Sequence, residues 1–216
     1  MGEQKVPDVV IRRLPMYLRA LDSLESAGLS IVSSKQLGDV TGTSPTQVRK
    51  DLTVFGCFGK QGVGYRISTL KKELMGKLKL DREVKIAIVG LGRMGKAIIH
   101  YNAYKRGTGQ RASGAENLVI EAGFDVDEAV LKEGPFDSVP AYSISMLKDV
   151  IQQNGIRIAV LTVPAEAAQK MADICVQAGI KGILNFTPTT LLVPEGVKVN
   201  DSDVTVLLQS LSYYTE

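Results

Sequence analysis

The sequence contains no tryptophan, a single histidine and two cysteines among its 216 residues. With one histidine, His100, no catalytic arrangement needing a second is available. Cys57 and Cys175 lie far apart without metal-ligand spacing, so no metal site is expected and a reducing, cytoplasmic location fits. No stretch approaches the roughly 18 apolar residues of a membrane span. The opening "MGEQKVPDVV" has no apolar signal core, so neither membrane insertion nor secretion is expected. Hydrophobic residues make up 44% and charged residues 23%, a balance that points to a soluble globular chain of one large or two small domains.

What is present is unevenly distributed. Residues 1–80 carry 13 Lys/Arg against 7 Asp/Glu, whereas residues 81–216 carry 13 against 16. A basic module joined to a mildly acidic one suggests that only the first meets a polyanion. The alternative is an uneven but merely solvated surface.

The first module reads as helices. "VIRRLPMYLRALDSLESAG" sets Ile11, Leu14, Leu18 and Leu21 at helical spacing before a stop at Gly28, and Pro15 implies that the helix starts there or kinks. Ser33 and Gln36 have capping-box spacing, with a stop near Gly42. Ser44 can cap a second short helix, with Pro45 in its first position and Gln47 reaching back. Two short helices around a tight turn outline a helix-turn-helix. On the second, Val48, Leu52 and Phe55 face inward, which turns Thr46, Lys50 and Thr53 outward with Gln47 and Arg49 on the flanks. Such a row beside a helix N-terminus suits phosphates and base edges; a polar face that meets only water is the alternative. "FGKQGVGYRIS" then reads as a tight β-ribbon, a wing carrying Lys60, Tyr65 and Arg66.

From residue 84 the pattern alternates between strand and helix. "VKIAIVG", "NLVIEAGFD", "IRIAVLTV" and "IKGILNF" are apolar runs suited to parallel strands buried on both faces. The predicted class is α/β: a winged helix-turn-helix domain over 1–80, a Rossmann-like parallel sheet over 81–200 and a C-terminal helix over 201–216. The last helix carries Val204, Leu207, Leu208 and Leu211 on one stripe, and it docks either on its own sheet or on a partner subunit.

Gly90-x-Gly92-x-x-Gly95 falls between the first strand and its helix, the context that makes this spacing a dinucleotide fingerprint. The glycines give the turn, the close approach to a pyrophosphate and the helix–strand contact, while the helix beginning near Arg93 offers its positive end. Asp125, closing the second strand, is the candidate acceptor for a ribose hydroxyl, with Glu121 as competitor. Asp127 nearby would repel a 2′-phosphate, so NAD(H) is expected over NADP(H). Hydride exchange with a carbonyl requires a proton donor near the nicotinamide, yet His100 points away and the loops reaching that end are "TVP" (Thr162, Val163, Pro164) and "NFTP", which contains Phe186. An apolar pocket of this kind can distinguish the cationic oxidised ring from the neutral reduced one without reacting. Cys57 has no evident thiolate-stabilising partner, and Tyr101 and Tyr104 read as core or interface.

Taken whole, the chain resembles the Rex family of redox-sensing repressors. The resemblance is carried by "RRLPMYLR" (12–19), "VSSKQLGD" (32–39), "QVRKDLTVFGCFGKQGVGYRI" (47–67), "VGLGRMGKA" (89–97), "FDVD" (124–127), "LTVPAEAAQ" (161–169), "GIKGILNFTP" (179–188) and "LLQSLSYY" (207–214). It implies a homodimer on a palindromic double-stranded operator, a C-terminal helix exchanged between subunits, release from DNA by NADH with NAD+ competing, and no enzymatic activity. By position, Gly90, Leu91, Gly92, Arg93, Met94, Gly95 and Asp125 would hold the dinucleotide. Arg49, Lys50 and Lys60 would meet DNA within a face that includes Ser44. Arg19, Tyr101 and Asp203 would form an interface relay. "EGPFDSVPA" (133–141) and the Arg93-Met94 pair depart from the family's usual form. A small NAD-dependent dehydrogenase and a CoA- or nucleotide-binding scaffold are the competing readings.

Overall fold

The computed structural model describes residues 6–57, 59–60, 62–107 and 114–215. They divide into two units: the first runs to Glu83 and takes in residues 114–117, and the second holds the remainder. Asn117 ties the inserted residues to the first unit by donating its side-chain amide to the Leu80 carbonyl at 2.7 Å.

In the first unit, helix α1 (Asp8–Ser26) buries Val10, Leu14, Tyr17, Leu18 and Leu21, a stripe at three- and four-residue spacing. Ile11, expected on that stripe, stands one position round the helix from Val10 and is 42% exposed. The helix runs through Pro15 instead of starting there. The carbonyl that a proline cannot serve belongs to Ile11, an exposed residue on the solvent side, so the helix loses no buried hydrogen bond there. Strand β1 (Ile31–Val32) leads into helix α2 (Ser34–Thr41), whose capping box of Ser33 and Gln36 is formed as expected and which ends at left-handed Gly42. Helix α3 (Pro45–Val54) starts with the Ser44 hydroxyl accepting from the Gln47 N–H.

The wing is built differently from a local hairpin. Strand β2 (Tyr65–Arg66) pairs antiparallel with β1, thirty-odd residues earlier, and places Val32 opposite Tyr65. Its tip is closed by reciprocal backbone hydrogen bonds of 2.9 Å between Lys60 and Gly64. Helix α4 (Ile67–Lys77) then contributes Ile67, Leu70 and Leu74 to a core shared with Leu14, Leu18, Leu37, Val48 and Leu52. Each of these large apolar groups contributes about 1.5–3 kcal/mol on leaving water.

The second unit is a six-stranded sheet. Its strands are β3 (Val84–Val89), β4 (Leu118–Asp125), β5 (Ala141–Ser143), β6 (Ile158–Leu161), β7 (Gly182–Asn185) and β8 (Lys198–Asp201). All neighbours pair in parallel, in the order β5-β4-β3-β6-β7-β8. Counted from β3 as the first strand, this is the doubly wound order 3-2-1-4-5-6, with its reversal between β3 and β6. Helices α5 (Arg93–Gly107) and α6 (Glu128–Lys132) follow β3 and β4, and α7 (Leu147–Asn154) and α8 (Ala165–Ala178) precede and follow β6. Side chains of β3 and β6 alternate between two cores, one with Leu147, Ile151, Met171 and Cys175, the other with Leu91 and Ile99, and β4 changes over from the second to the first at a register shift between Ile120 and Ala122.

Asp201, assigned from the sequence to the C-terminal helix segment, is the last residue of β8 and pairs with Asn185. Helix α9 (Val204–Ser212) follows it and has no buried residue. Val204, Leu207, Leu208 and Leu211 are 51–61% exposed, so this stripe does not dock on its own sheet. No described helix is long and apolar enough to cross a membrane, and no group of three or more potential metal ligands occurs among the described residues.

Candidate functional site

At the reversal between β3 and β6 the sheet opens into a cleft of about 410 Å3. Its floor is the glycine turn. Gly90 has φ of 99° and donates its N–H to the Phe124 carbonyl at 2.8 Å, and a Cβ there would lie 2.7 Å from the Thr162 carbonyl oxygen. A Cβ on Gly95 would stand 2.0 Å from the Gly90 oxygen, so α5 can leave the turn only because residue 95 has no side chain. Gly92 is exposed and a Cβ there would meet nothing within 4 Å. The turn is thus closed at both ends and open in the middle. The first backbone N–H groups of α5, from Arg93 onward, have no acceptor within a helix. This is a cradle for an anion of diphosphate type, with the helix dipole in support.

Asp125 closes the adjacent side. One carboxylate oxygen accepts from the Leu91 N–H at 2.7 Å and the other from the Asp127 N–H at 2.9 Å. Both oxygens retain lone pairs for a ribose hydroxyl. Glu121, the competitor, pairs with Lys85 at 3.6 Å and does not line the cleft. The remaining lining is mostly apolar: Val89, Phe124, Val126, Ile144, Val163, Pro164, Ala167 and Met171. Apart from the TVP loop, sequence reasoning missed this wall: Ile144 sits on a 3-10 turn too short to give a periodic signal, and Val89, Phe124, Ala167 and Met171 lie on legible elements whose periodicity does not say which residues line a cleft.

Several expected contacts have other duties. The Thr162 hydroxyl donates to the Gly90 carbonyl at 2.7 Å, so it braces the turn and lines the cleft only in passing. The Leu91 side chain is fully buried against Gly123 and the α5 core, leaving its N–H as its contribution to the site. Phe186 does not line the cleft; it packs against the cluster of Ile88, Leu91, Ile99 and Val160. Arg93 and Met94 are exposed on the first turn of α5. His100 lies 3.2 Å from Asp137, outside the cleft. Tyr101 and Tyr104 are 60% and 61% exposed, so neither belongs to the core. Asp203 caps α9 by accepting from the Thr205 N–H, and Arg19 is exposed on α1 of the first unit.

The second candidate region is the outer face of α3. Thr46, Arg49, Lys50 and Thr53 are exposed there as expected. Arg49 reaches Ser34 at 2.8 Å and Thr46 at 3.3 Å, which holds its guanidinium over the start of α2. Lys60 and Arg66 are exposed on the wing. Ser44 spends its hydroxyl on the cap, and Tyr65 lays its ring against Gly59 and the core. Gln47 does not reach back to the cap: its side-chain amide donates to Asp51 at 2.6 Å. Phe58 and Gln61 of the wing phrase lie outside the described residues.

Beneath this face sits a group that sequence reasoning missed. Asp51 is fully buried and accepts from Arg13 through both oxygens, at 2.5 and 2.8 Å, and from the Tyr17 hydroxyl at 2.6 Å. Burial alone would raise this carboxyl, but the hydrogen bonds from Arg13, Tyr17 and Gln47 outweigh it and hold it below the usual carboxylate range. The same burial, helped by the carboxylate, pushes the Tyr17 phenol up. Cys57 and Cys175 are both buried, and desolvation pushes each thiol up to about 12, so neither is a thiolate at neutral pH.

Known proteins share this arrangement end to end. Residues 5–53 match a family described as "Putative DNA-binding protein N-terminus", and residues 81–189 match the CoA binding domain family. The chain is 42% identical over 212 residues to the redox-sensing transcriptional repressor Rex of Brevibacillus brevis, covering 98% of this chain and 97% of that one. It is 40% identical over 211 residues to Rex of Roseiflexus, covering 98% and 91%. Among solved structures, RSP in complex with β-NAD+ and operator DNA superposes with a TM-score of 0.84 at 34% identity, covering 97% of this chain and 92% of that one. RSP in complex with β-NADH gives 0.81 at 32%, covering 98% and 94%. On identity sustained over nearly the whole length of both chains, this protein belongs to the Rex family of redox-sensing transcriptional repressors.

Proposed function

We propose that this protein is a transcriptional repressor that binds a palindromic operator as a homodimer and leaves it when NADH occupies the glycine-turn cleft. The observation that carries the reading is the chemistry of the cleft. It offers backbone amides, one carboxylate and an apolar wall, and among the described lining residues there is no histidine, lysine or tyrosine to hand a proton to a reacting carbonyl. The operator and nicotinamide complexes of RSP support the two ligands.

The open space at Gly92 and the two-oxygen acceptor at Asp125 fit a dinucleotide: the N–H groups from Arg93 to Gly95 would hold the diphosphate and Asp125 a ribose hydroxyl. When bound, the dinucleotide supplies a ring that is cationic when oxidised and neutral when reduced. Val163 and Pro164 offer no counter-charge, so burial beside them disfavours the cationic form. Asp125 and Asp127 would repel the 2′-phosphate of NADPH and equally the 3′-phosphate of CoA. Thr46, Arg49, Lys50, Lys60 and Arg66 would meet the operator, and the uncovered stripe of α9, with Arg19, Tyr101 and Asp203, would serve the subunit interface. A ligand moves such a dimer only by its unequal affinity for two arrangements, and a full 99:1 reversal requires about 5.5 kcal/mol.

One titration tests the reading. Labelled operator duplex is held by the protein while NADH, NAD+, NADPH and CoA are added separately. Relief by NADH, opposed by NAD+ and absent with NADPH and CoA, is expected. Relief by CoA, consumption of NADH with a carbonyl compound, or a complex indifferent to NADH would overturn it.

A further inference from the structure

We infer that Asp51, held by Arg13 and Tyr17, is a positioning residue for DNA recognition: it fixes the rotation of α3 about its own axis so that the outer row faces the groove in one register. The inference rests on the DNA-binding reading above and deepens it.

Few apolar side chains hold α3. The helix buries only Val48, Asp51 and Leu52. Val48 and Leu52, with half-buried Phe55 just past the helix end, form a narrow seam, and apolar burial is non-directional, so by itself that seam sets the roll of a short helix only loosely; the exposed Arg49–Ser34 hydrogen bond lies on the outer side. The Asp51 carboxylate removes that freedom. It receives the two guanidinium bonds and the phenol from α1, at sequence separations of 38 and 34, and one amide from its own helix. A forked guanidinium–carboxylate pair fixes direction as well as distance. Arg49 and Lys50 immediately precede Asp51 in the chain, so the roll that this carboxylate sets is the roll at which they are presented. A displacement of about 1 Å is enough to spoil a directional contact.

Stability is a poor explanation for the same cluster. The carboxylate must overcome the loss of its own hydration although Arg13 stays partly exposed, and well-packed apolar replacements of such groups are often as stable or more so. A carboxylate with only 1% of its side chain exposed, in a helix whose opposite face is the candidate reading surface, is better explained by the geometry it imposes.

The test separates the two explanations. The preferred duplex is first selected by the unaltered protein from a random-sequence pool, and its affinity is compared with that of a scrambled duplex. Asp51→Asn should lower both the unfolding midpoint and the preference. The triple replacement Arg13→Met, Tyr17→Phe, Asp51→Leu should recover the midpoint while the preference stays reduced by about tenfold or more. Its dependence of affinity on salt should be unchanged, because Arg49 and Lys50 are still there. Return of the full preference together with the midpoint would overturn the inference and leave the DNA-binding reading intact. If the unaltered protein selects no duplex, the DNA-binding reading falls and this inference with it. Should the triple variant not fold, Tyr17→Phe alone decides: it keeps the ring and the ion pair, a reduced preference at an unaltered midpoint supports the inference, and an unaltered preference overturns it.

Discussion

Helices α3 and α5 both begin at a turn written plainly in the sequence, yet they present opposite things to their partners. Before α3, Ser44 covers a backbone N–H and leaves side chains to face outward. At the start of α5, glycines at 90 and 95 let the turn close tightly and Gly92 between them leaves the backbone itself open. A face made of side chains can be edited one group at a time, whereas a face made of backbone tolerates almost no addition. The two partners should therefore be lost separately and by different kinds of substitution.

The sharpest way to break this contrast is Gly95→Ala. The new Cβ would overlap the Gly90 carbonyl, so NADH binding should vanish in calorimetric titration and the second unit should lose about 1–3 kcal/mol to overpacking. Lys50→Ala should leave NADH binding intact while operator binding weakens. The slope of log affinity against log salt should fall by about one if Lys50 meets a phosphate. Asp125→Ala is expected to weaken NADH by roughly ten- to a hundredfold, since it removes a charged acceptor, and to spare DNA binding. Loss of both ligands in any one of these variants would erase the division between the two helices. The smallest effect concerns acid. Because the Asp51 carboxyl is held below its unfolded value of about 3.9, its stabilisation is complete above that pH and is lost as pH falls through the folded value. Acid unfolding followed by circular dichroism should be shallower in Asp51→Asn than in the unaltered protein.

Local devices were legible in the sequence. The capping box of Ser33 and Gln36, the Ser44–Pro45 start, the four apolar strands β3, β4, β6 and β7 and the glycine turn all depend on residues within a few positions of one another. Long-range partnership was not. Helical spacing places residue 51 on the inward face with Val48 and Leu52, but nothing near Asp51 announces that Arg13 and Tyr17 will reach it. Tyr65 and Thr162 misled for a related reason. A side chain beside a binding motif looks available until the structure shows its place: the Tyr65 ring packs against Gly59 and the core, and the Thr162 hydroxyl is spent on the Gly90 carbonyl. The strands β5 and β8, "AYS" and "KVND", lie at the two edges of the sheet and carry too few apolar residues to stand out.

The Thr162 hydroxyl has a consequence for selectivity. By clasping the Gly90 carbonyl it staples the ends of β3 and β6 together at the point where the sheet divides, so the seat is shaped in advance of its guest. Little ordering is left to be done on arrival. Differences in affinity between one nucleotide and another must then arise from the visitors themselves, from their charge and their phosphates, because the floor on which they rest is the same for each.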